Sequence, residues 1–141
     1  MPPMSPDQTA RFLAHGTRTG KLATVRADGR PHVAPIWFVL DGEDLLFNTA
    51  ETSVKGRNLR RDPRAAIAVD DQTPPYSHVV LDGTVRLITE LDEVRHWATK
   101  IGARYMGDDR AEEFGARNGV EGELLVRFTP TKAIAEGGVS E

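Results

Sequence analysis

The densest group of charged side chains lies in residues 55–64, which read KGRNLRRDPR and hold five cations and one acid. The whole chain has a net charge of −3, so this segment is a local excess of positive charge. It follows the hydroxyl-rich stretch 49–53, which we predict to be a turn between a strand and a helix. Hydroxyls, free backbone amides at a helix start and a lysine in the first turn can together bind a phosphate. We therefore expect Lys55 to make the charged contact in a phosphate site.

Two other interpretations fit the same segment. Its arginines can pair with acids on a solvated helix face, or the patch can bind nucleic acid. The negative net charge and the scarcity of aromatic residues nearby argue against nucleic acid, and we expect no such partner. Composition alone does not choose between a solvated face and a phosphate site.

The residues needed for most other chemistries are missing from the sequence. There is no cysteine, which excludes disulfides, thiol nucleophiles and thiolate metal sites. The histidines at positions 15, 32, 78 and 96 do not have metal-ligand spacing, and we predict no metal site. The sequence also lacks the glycine-rich motifs of hydrolases, Rossmann domains and nucleotide hydrolases. No catalytic residue is assigned, and His32 and His78 are named only as candidates for delivering a proton.

The bulk composition predicts one globular domain. The chain has 141 residues, of which 39% are hydrophobic and 28% charged, so we expect residues 1–141 to form a single domain. The first residues lack the pattern of a signal peptide, and no stretch approaches the roughly 18 apolar residues of a membrane span. We therefore expect a cytoplasmic protein that does not associate with membranes.

Local patterns in the first half predict a helix followed by a three-stranded meander. Ser5, Pro6 and Gln8 are typical of a helix start, and the helix is expected to end near Ala14. Strands are predicted over residues 21–26, 32–40 and 44–49, joined by two Asp-Gly turns. The second strand is apolar on both faces, so one face is expected to fill a barrel and the other to need a helix, a partner subunit or a flat ligand. Pro35 lacks an amide donor and predicts a bulge or an unpaired position in that strand.

The second half predicts more strands with helices between them. A helix is expected over residues 53–61 and a strand over 65–70. A long strand over 77–88 is interrupted at Asp82-Gly83 by a hairpin or a bulge. An amphipathic helix over 92–106 with Trp97 in the core, and a weaker helix over 109–117, precede one or two closing strands. Six to seven strands and three to four helices indicate a mainly β, antiparallel barrel.

Four stretches in sequence order resemble the pyridoxamine-phosphate-oxidase-like split β-barrel family, and in particular its deazaflavin (coenzyme F420) dependent oxidoreductases. These stretches are GKLATVRADGRPHVAP, DLLFNT, KGRNLRRDPRAAIAVD and VLDGTVRLI. The resemblance covers residues 12–88 well and the remainder loosely. It implies an α+β protein built on a six-stranded antiparallel split barrel of the FMN-binding type with short flanking helices. It also implies a homodimer with two cofactor sites at the subunit interface.

The resemblance further implies which residues contact the cofactor. The cofactor phosphate would be held by Lys55, with Ser53, Asn48 and Thr49 as supporting donors, and Asn58 belongs to the same motif. The ring system of the cofactor would lie along Pro35, Ile36 and Trp37. The cofactor of the partner subunit would be contacted by Tyr76, Ser77 and His78. The implied activity is hydride transfer from reduced F420 to an unsaturated small molecule of the enone, quinone or lactone type. The alternatives are an FMN-binding oxidase or reductase of the same fold and a non-catalytic cofactor-binding protein. Substrate-binding residues of the longer pyridoxamine phosphate oxidases are not found in the sequence.

Overall fold

Seven strands and four α-helices form the described part of the chain, residues 3–137, in a computed structural model. In chain order the elements are α1 (Pro6–Ala14), β1 (Gly20–Val25), β2 (Pro31–Ile36), β3 (Val39–Asp41), β4 (Asp44–Ala50), α2 (Val54–Arg61), β5 (Arg64–Asp70), β6 (His78–Ile88), α3 (Leu91–Met106), α4 (Ala111–Asn118) and β7 (Glu123–Glu136). A 3-10 turn over Asp108–Arg110 precedes α4. The predicted single domain over residues 1–141 extends at both ends beyond the described residues.

The strands form one antiparallel sheet in the order β2-β1-β5-β6-β7-β4-β3. The prediction of a mainly β, antiparallel protein with short helices is confirmed, whereas the predicted number of six strands is wrong. The sheet is not closed, since β2 and β3 lie at its two edges. Only Trp37 and Phe38 separate these edge strands in sequence. The sheet must therefore curl until its edges approach each other, which produces a split barrel.

The predicted meander over residues 21–49 is wrong in its connectivity, because the strand expected over 32–40 is two strands. β2 pairs with β1, whereas β3 pairs with β4, whose other neighbour is β7. The strand breaks because side chains of α3 bind the main chain of Phe38. Its amide donates to the Tyr105 hydroxyl at 3.1 Å, and its carbonyl accepts from Arg104 Nη1 at 2.6 Å. Pro35 lies in β2 opposite Lys21, on an edge strand where proline is tolerated.

Two apolar clusters hold the layers together. The larger one, which fills the barrel, consists of Leu13, Leu22, Ile36, Phe38, Leu45, Phe47, Leu59, Ile67, Val69, Val79, Leu81, Leu124, Val126 and Phe128. The smaller one joins α3 to the outer face of the sheet through Leu46, Ile88, Val94 and Leu125, with Trp97 packed against it as predicted. β4 is thus covered on both faces, and its position is strongly constrained.

Local signals for the other elements are largely confirmed. The capping box of Ser5 and Gln8 starts α1, and α2 and β5 match their predicted ranges within a residue or two. The interruption at Asp82-Gly83 is a bulge, because the β6–β7 register shifts there while β6 continues. A Cβ on Gly83 would lie 2.4 Å from the carbonyl oxygen of Thr129, so glycine permits this close approach.

Candidate functional site

A tightly bonded turn carries the chain from β4 into α2. The Ser53 hydroxyl accepts from the Gly56 amide at 3.0 Å and donates to the Ala50 carbonyl at 2.7 Å. The Thr49 hydroxyl lies 2.8 Å from it. The predicted hydroxyls are therefore engaged in building the turn. The amides of Val54 and Lys55 precede the hydrogen-bond ladder of the helix and remain as donors at its N-terminus.

Gly56 fixes how closely α2 sits over this turn. A Cβ at this position would lie 2.4 Å from the Ala50 carbonyl oxygen and 3.0 Å from Ser53 Oγ. Any larger residue would push the first turn of the helix away from the end of β4. The glycine next to Lys55 thus sets where the lysine is presented.

The five cations of residues 55–64 differ in their contacts. Three have partners: Arg60 lies 3.9 Å from Glu51, Arg61 donates to the Val25 carbonyl at 2.8 Å, and Arg64 pairs with Asp62 at 2.8 Å. Lys55 and Arg57 make no hydrogen bond or ion pair with any residue in 3–137. These two cations, one of them in the first helical turn, are therefore available to an external anion.

The charges around the start of α2 involve one residue far away in sequence. Glu123 opens β7 and lies opposite Ala50 in the sheet. Burial raises the pKa of its carboxyl group, and the positive charge of Lys55 partly opposes that rise. At the other end of α2, hydrogen bonds from Arg64 lower the pKa of Asp62 to about 2. Arg64 is thus neutralised by its neighbour, whereas Lys55 interacts with a half-buried carboxyl group.

Asn58 is a link between α2 and the sheet. It is 4% exposed, and its Nδ2 donates to the Thr24 hydroxyl at 3.0 Å. Its Oδ1 accepts from Arg61 at 2.9 Å, and the same arginine reaches the Val25 carbonyl. Both ends of the amide are therefore occupied by the protein. A contact between Asn58 and a cofactor stays a prediction.

Two buried side-chain nitrogens near this end of the sheet have no hydrogen-bond partner within the described chain. They are Nδ2 of Asn48, on β4, and Nδ1 of His32, on β2. His32 lies opposite Thr24, the residue that bonds Asn58. Leaving a buried polar atom unpaired costs about 1–3 kcal/mol. Such atoms favour an additional polar partner at this end of the barrel.

Pro35, Ile36 and Trp37 lie at the other end of β1 and β2. Ile36 faces Gly20 across the strands and is buried in the core at 4% exposure. Pro35 and Trp37 are exposed on the surface. The Trp37 ring stacks on Tyr105 with centroids 5.0 Å apart and planes 3° apart. The side chain of Ile36 is therefore committed to the core, whereas its two neighbours are accessible.

Arg104 and Tyr105 fix the main chain around Trp37. The Arg104 guanidinium donates to the carbonyls of Leu13, Gly16 and Phe38, and burial lowers its pKa. The Tyr105 hydroxyl lies 2.8 Å from the Arg18 carbonyl, and burial raises its pKa. The sequence did not predict these roles. Its only local signal here was the helical spacing of apolar residues, which placed Tyr105 on α3.

Tyr76, Ser77 and His78 lead into β6 at the same end. Tyr76 is 46% exposed and has a positive φ of 61°. The Ser77 carbonyl accepts from the amide of Asp71. His78 lies opposite Asp70 in β5, and its Nε2 is 3.6 Å from Glu136. These residues therefore form a surface near the start of β6.

The structure divides the predicted site residues into two groups. The first, at α2, comprises Asn48, Thr49, Ser53, Lys55 and Asn58. The second comprises Pro35, Ile36, Trp37, Tyr76, Ser77 and His78. The six residue steps of β5 from Arg64 to Asp70 span about 20 Å and separate the α2 end of the sheet from the His78 end.

Neither a metal cluster nor a membrane helix is found in the part of the chain that the structure describes. Within residues 3–137, no three side chains of histidine, aspartate or glutamate lie together as metal ligands do. No helix in that range is long and apolar enough to cross a membrane.

The curled antiparallel sheet, its outer helix and the cationic helix start define a split-barrel protein of the kind that binds flavin-type cofactors. The sequence pattern of the pyridoxamine 5'-phosphate oxidase family matches residues 6–135. The chain belongs to this family, which confirms the resemblance found in the sequence.

Solved structures agree with this assignment. A conserved hypothetical protein from Mycobacterium tuberculosis is 25% identical with a TM-score of 0.84, over 97% of this chain and 87% of that one. A protein described as an F420 reductase is 27% identical with a TM-score of 0.69, over 87% of this chain and 94% of that one. HutZ, the heme storage protein from Vibrio cholerae, is 19% identical with a TM-score of 0.74, over 96% and 98% of the two chains, and it shows the fold alone.

Proposed function

We propose that this protein is an oxidoreductase that uses coenzyme F420 to reduce an unsaturated small molecule of the enone, quinone or lactone type. The observation that carries the proposal is Lys55, a lysine without a hydrogen bond or ion pair in the described chain, in the first turn of α2. The solved F420 reductase, 27% identical over 94% of its length, supports the choice of cofactor.

The phosphate of the cofactor would lie at the start of α2. Lys55 and the amides of Val54 and Lys55 supply donors there, and Arg57 adds a second unpaired cation. A charge-assisted hydrogen bond contributes about 1.5–3 kcal/mol. Ser53 and Thr49 hold the turn that presents these groups. The unpaired Asn48 Nδ2 matches an acceptor on a polar cofactor tail.

The protein's contribution to the reaction is binding and orientation. When bound, a reduced deazaflavin supplies a hydride to the acceptor, and a proton from solvent completes the reduction. The chain would hold the cofactor ring and the acceptor face to face and exclude water between them. Pro35 and Trp37 offer exposed apolar surface for this purpose, while Ile36 supports them from the core.

A homodimer is part of the proposal. The two groups of predicted residues lie at opposite ends of one subunit, so a single chain does not bring them to one cofactor. In a dimer, the α2 group of one subunit would combine with Tyr76, Ser77 and His78 of the other. Such a site would be complete only when two copies associate.

FMN is the alternative cofactor, because the matched family is that of pyridoxamine 5'-phosphate oxidase. FMN carries a terminal phosphate that the same helix start would bind. An FMN-binding oxidase or reductase would use the same split barrel with a different ring. A non-catalytic cofactor-binding protein is the third possibility, and it would show binding without turnover.

The deciding experiment titrates the purified protein with F420 and with FMN side by side, following cofactor fluorescence. We expect F420 to bind, and Lys55→Ala to weaken that binding by roughly 10–100-fold through loss of one charge-assisted contact. Arg64→Ala is the matched control, because this exposed arginine is already paired with Asp62. The Arg64→Ala variant is expected to bind F420 like the wild type.

Three other results would contradict this proposal or part of it. A yellow protein that retains flavin and ignores F420 would establish the FMN alternative. Unchanged affinity in Lys55→Ala would remove this lysine from the site. Tight F420 binding without turnover over a panel of enones, quinones and lactones would favour the non-catalytic protein.

A further inference from the structure

An open groove runs along the second half of β7. It has a volume of about 630 Å³ and lies between α1, the turn from β3 to β4 and residues 130–136. Its floor is formed by apolar side chains, among them Leu13 and Leu81 of the barrel core. A groove of this size and character is typical of ligand sites. The eight residue steps of β7 from Glu123 to Thr131 span about 26 Å, so the groove is separate from the phosphate site proposed at α2.

One wall of the groove is an unpaired strand edge. β4 pairs with the first half of β7 only, so the second half has β6 on one side and, apart from a bridge between Pro3 and Glu136, an open edge on the other. The Ala135 carbonyl accepts from the Met4 amide at 2.7 Å and therefore points away from β6. Because main-chain groups alternate in direction along a strand, the N–H and C=O of Ala133 face the groove as well. Neither group has a partner within residues 3–137.

The open stretch of this edge is short. At one end Pro3 and Met4 occupy it, and the chain then enters α1. At the other end Thr131 is the extra residue of the bulge opposite Asp82-Gly83, since the register passes from Pro130 directly to Lys132. Ala133 is thus left as the residue with a regularly oriented donor and acceptor. Such an edge fits the end of a peptide chain rather than the middle of a long strand.

The groove also carries two charges that are not balanced by the chain itself. Lys132 lines it on the β7 side, and Glu43 lines it on the side of the turn before β4. Neither side chain makes a hydrogen bond or ion pair within residues 3–137. A terminal carboxylate complements the ammonium group of Lys132, and a basic side chain complements Glu43.

Two other occupants match these features less well. A hydrocarbon chain would cover the apolar floor but would leave the main-chain groups of Ala133 without water or a partner, which is costly. A second copy of β7 paired along the same edge would continue past Ala133 into Pro3 and Met4, which already occupy that edge. The chemistry of the groove therefore favours a short peptide end.

We propose that this groove binds the C-terminal residues of a peptide chain, which add to the free edge of β7 as a short strand. One residue of the peptide exchanges two hydrogen bonds with Ala133, its terminal carboxylate pairs with Lys132, and an apolar side chain packs over Leu13 and Leu81. A basic residue nearer the start of the peptide lies towards Glu43. This inference goes beyond the proposed oxidoreductase function and does not depend on it.

Fluorescence anisotropy tests the proposal directly. A fluorescein-labelled pentapeptide of sequence KTVTV with a free C-terminal carboxylate is titrated with the full-length protein, and we expect saturable binding. Lys132→Gln is expected to weaken this binding by about tenfold, and Lys132→Arg to retain it. Lys100→Gln is the matched control, because it removes the same charge from an exposed lysine on α3 that does not line the groove.

Changes in the peptide test the strand edge without altering the protein. Amidation of the C-terminus removes the carboxylate, and N-methylation of the peptide bonds removes the strand donors. Each change is expected to weaken binding by about tenfold. Ala133→Pro should have the same effect, because it deletes an amide that faces the groove while leaving the hydrogen bonds to β6. Circular dichroism checks that this variant is folded.

Several outcomes would overturn the inference. Absence of saturable binding to the wild type, or equal affinities in Lys132→Gln and Lys100→Gln, would show that the peptide end does not bind here. Equal affinity for the N-methylated peptide would exclude strand addition. Displacement of the peptide by decanoate at lower concentration than by unlabelled peptide would assign the groove to a hydrocarbon ligand. A halved mass of Ala133→Pro in light scattering would assign it to a second copy of the chain.

Discussion

At the scale of single residues, the proposed anion site depends on the balance between Lys55 and Glu123. Burial raises the pKa of Glu123, while the lysine charge opposes that rise. A phosphate that binds at Lys55 must therefore share the ammonium group with a carboxylate of the same chain. This arrangement weakens anion binding while the carboxylate is charged.

We therefore predict that Glu123→Gln binds the phosphorylated cofactor more tightly than the wild type, by about fivefold near neutral pH. The raised pKa sets the sign of the pH dependence. Ionisation of this glutamate disfavours the folded state, so relative to the variant the wild type loses stability as the pH rises through that raised pKa. The differences in affinity and stability should both vanish in acid, once the carboxyl group is protonated.

Calorimetric titration with the cofactor, near neutral pH and in acid, measures the difference in affinity. Glu121→Gln is the control, because it removes the same charge from an exposed position two residues earlier. An equal increase in cofactor affinity in both variants would assign the effect to net charge alone. No gain in Glu123→Gln would contradict the competition between Glu123 and the phosphate.

The two residues of this pair differ in how well the sequence reveals them. Lys55 is found from its immediate neighbours, since the hydroxyl-rich turn and the cationic run are contiguous with it. Glu123 reaches the site only because β7 pairs with β4, which places it opposite Ala50. A pairing between strands so distant in sequence leaves no local pattern, so tertiary structure was needed to find this residue.

At the scale of the elements, α2 is oriented by its bonds to the end of β1. Asn58 donates to Thr24 and accepts from Arg61, and Arg61 reaches the Val25 carbonyl. The Asn58 side chain is buried and lies one turn after Lys55 on the same helix. The same motif therefore attaches α2 to β1 through Asn58 and places Lys55 in the first turn of the helix.

We predict that Asn58→Ala lowers the free energy of unfolding by about 1–3 kcal/mol, because it leaves the buried Thr24 hydroxyl and one Arg61 contact unpaired. Urea denaturation followed by circular dichroism measures the change. Arg57→Ala, an exposed position on the same helix without an ion pair in the described chain, should change stability by less than about 0.5 kcal/mol. Unchanged stability in Asn58→Ala together with lost cofactor affinity would instead make Asn58 a direct ligand.

Elements with local signals were predicted well, and the break in the second strand was not. α1 begins with a capping box read from Ser5 and Gln8, and α3 follows from its apolar spacing. The break at Trp37 and Phe38 is made by Arg104 and Tyr105, 66 and 67 positions after Phe38. Continuous β-rich sequence therefore predicted one strand where the structure has two, and the six strands that the resemblance implied are seven.

At the scale of the whole molecule, the exposed apolar residues and the separation of the two groups of predicted site residues favour association between two copies of the chain. Val33 on the edge strand β2 is 63% exposed, and Tyr76 and Ile134 are each 46% exposed. Exposed apolar side chains on an edge strand favour an interface. The two groups of predicted site residues also lie at opposite ends of one subunit. A symmetric pair of subunits would cover the apolar side chains and unite the two groups.

We predict that the protein is a dimer in solution with twice the chain mass of 15.5 kDa, and that Val33→Asp converts it into a folded monomer. Light scattering after gel filtration measures the mass, and circular dichroism checks the fold. Val120→Asp is the control, because it places the same charge on another exposed valine, in the loop before β7, and should leave a dimer. Cofactor affinity should fall together with the mass in Val33→Asp, since each proposed site would draw residues from both subunits. A monomeric variant that binds F420 as tightly as the wild type would show that one subunit is sufficient, and the division of the site between subunits would then be wrong.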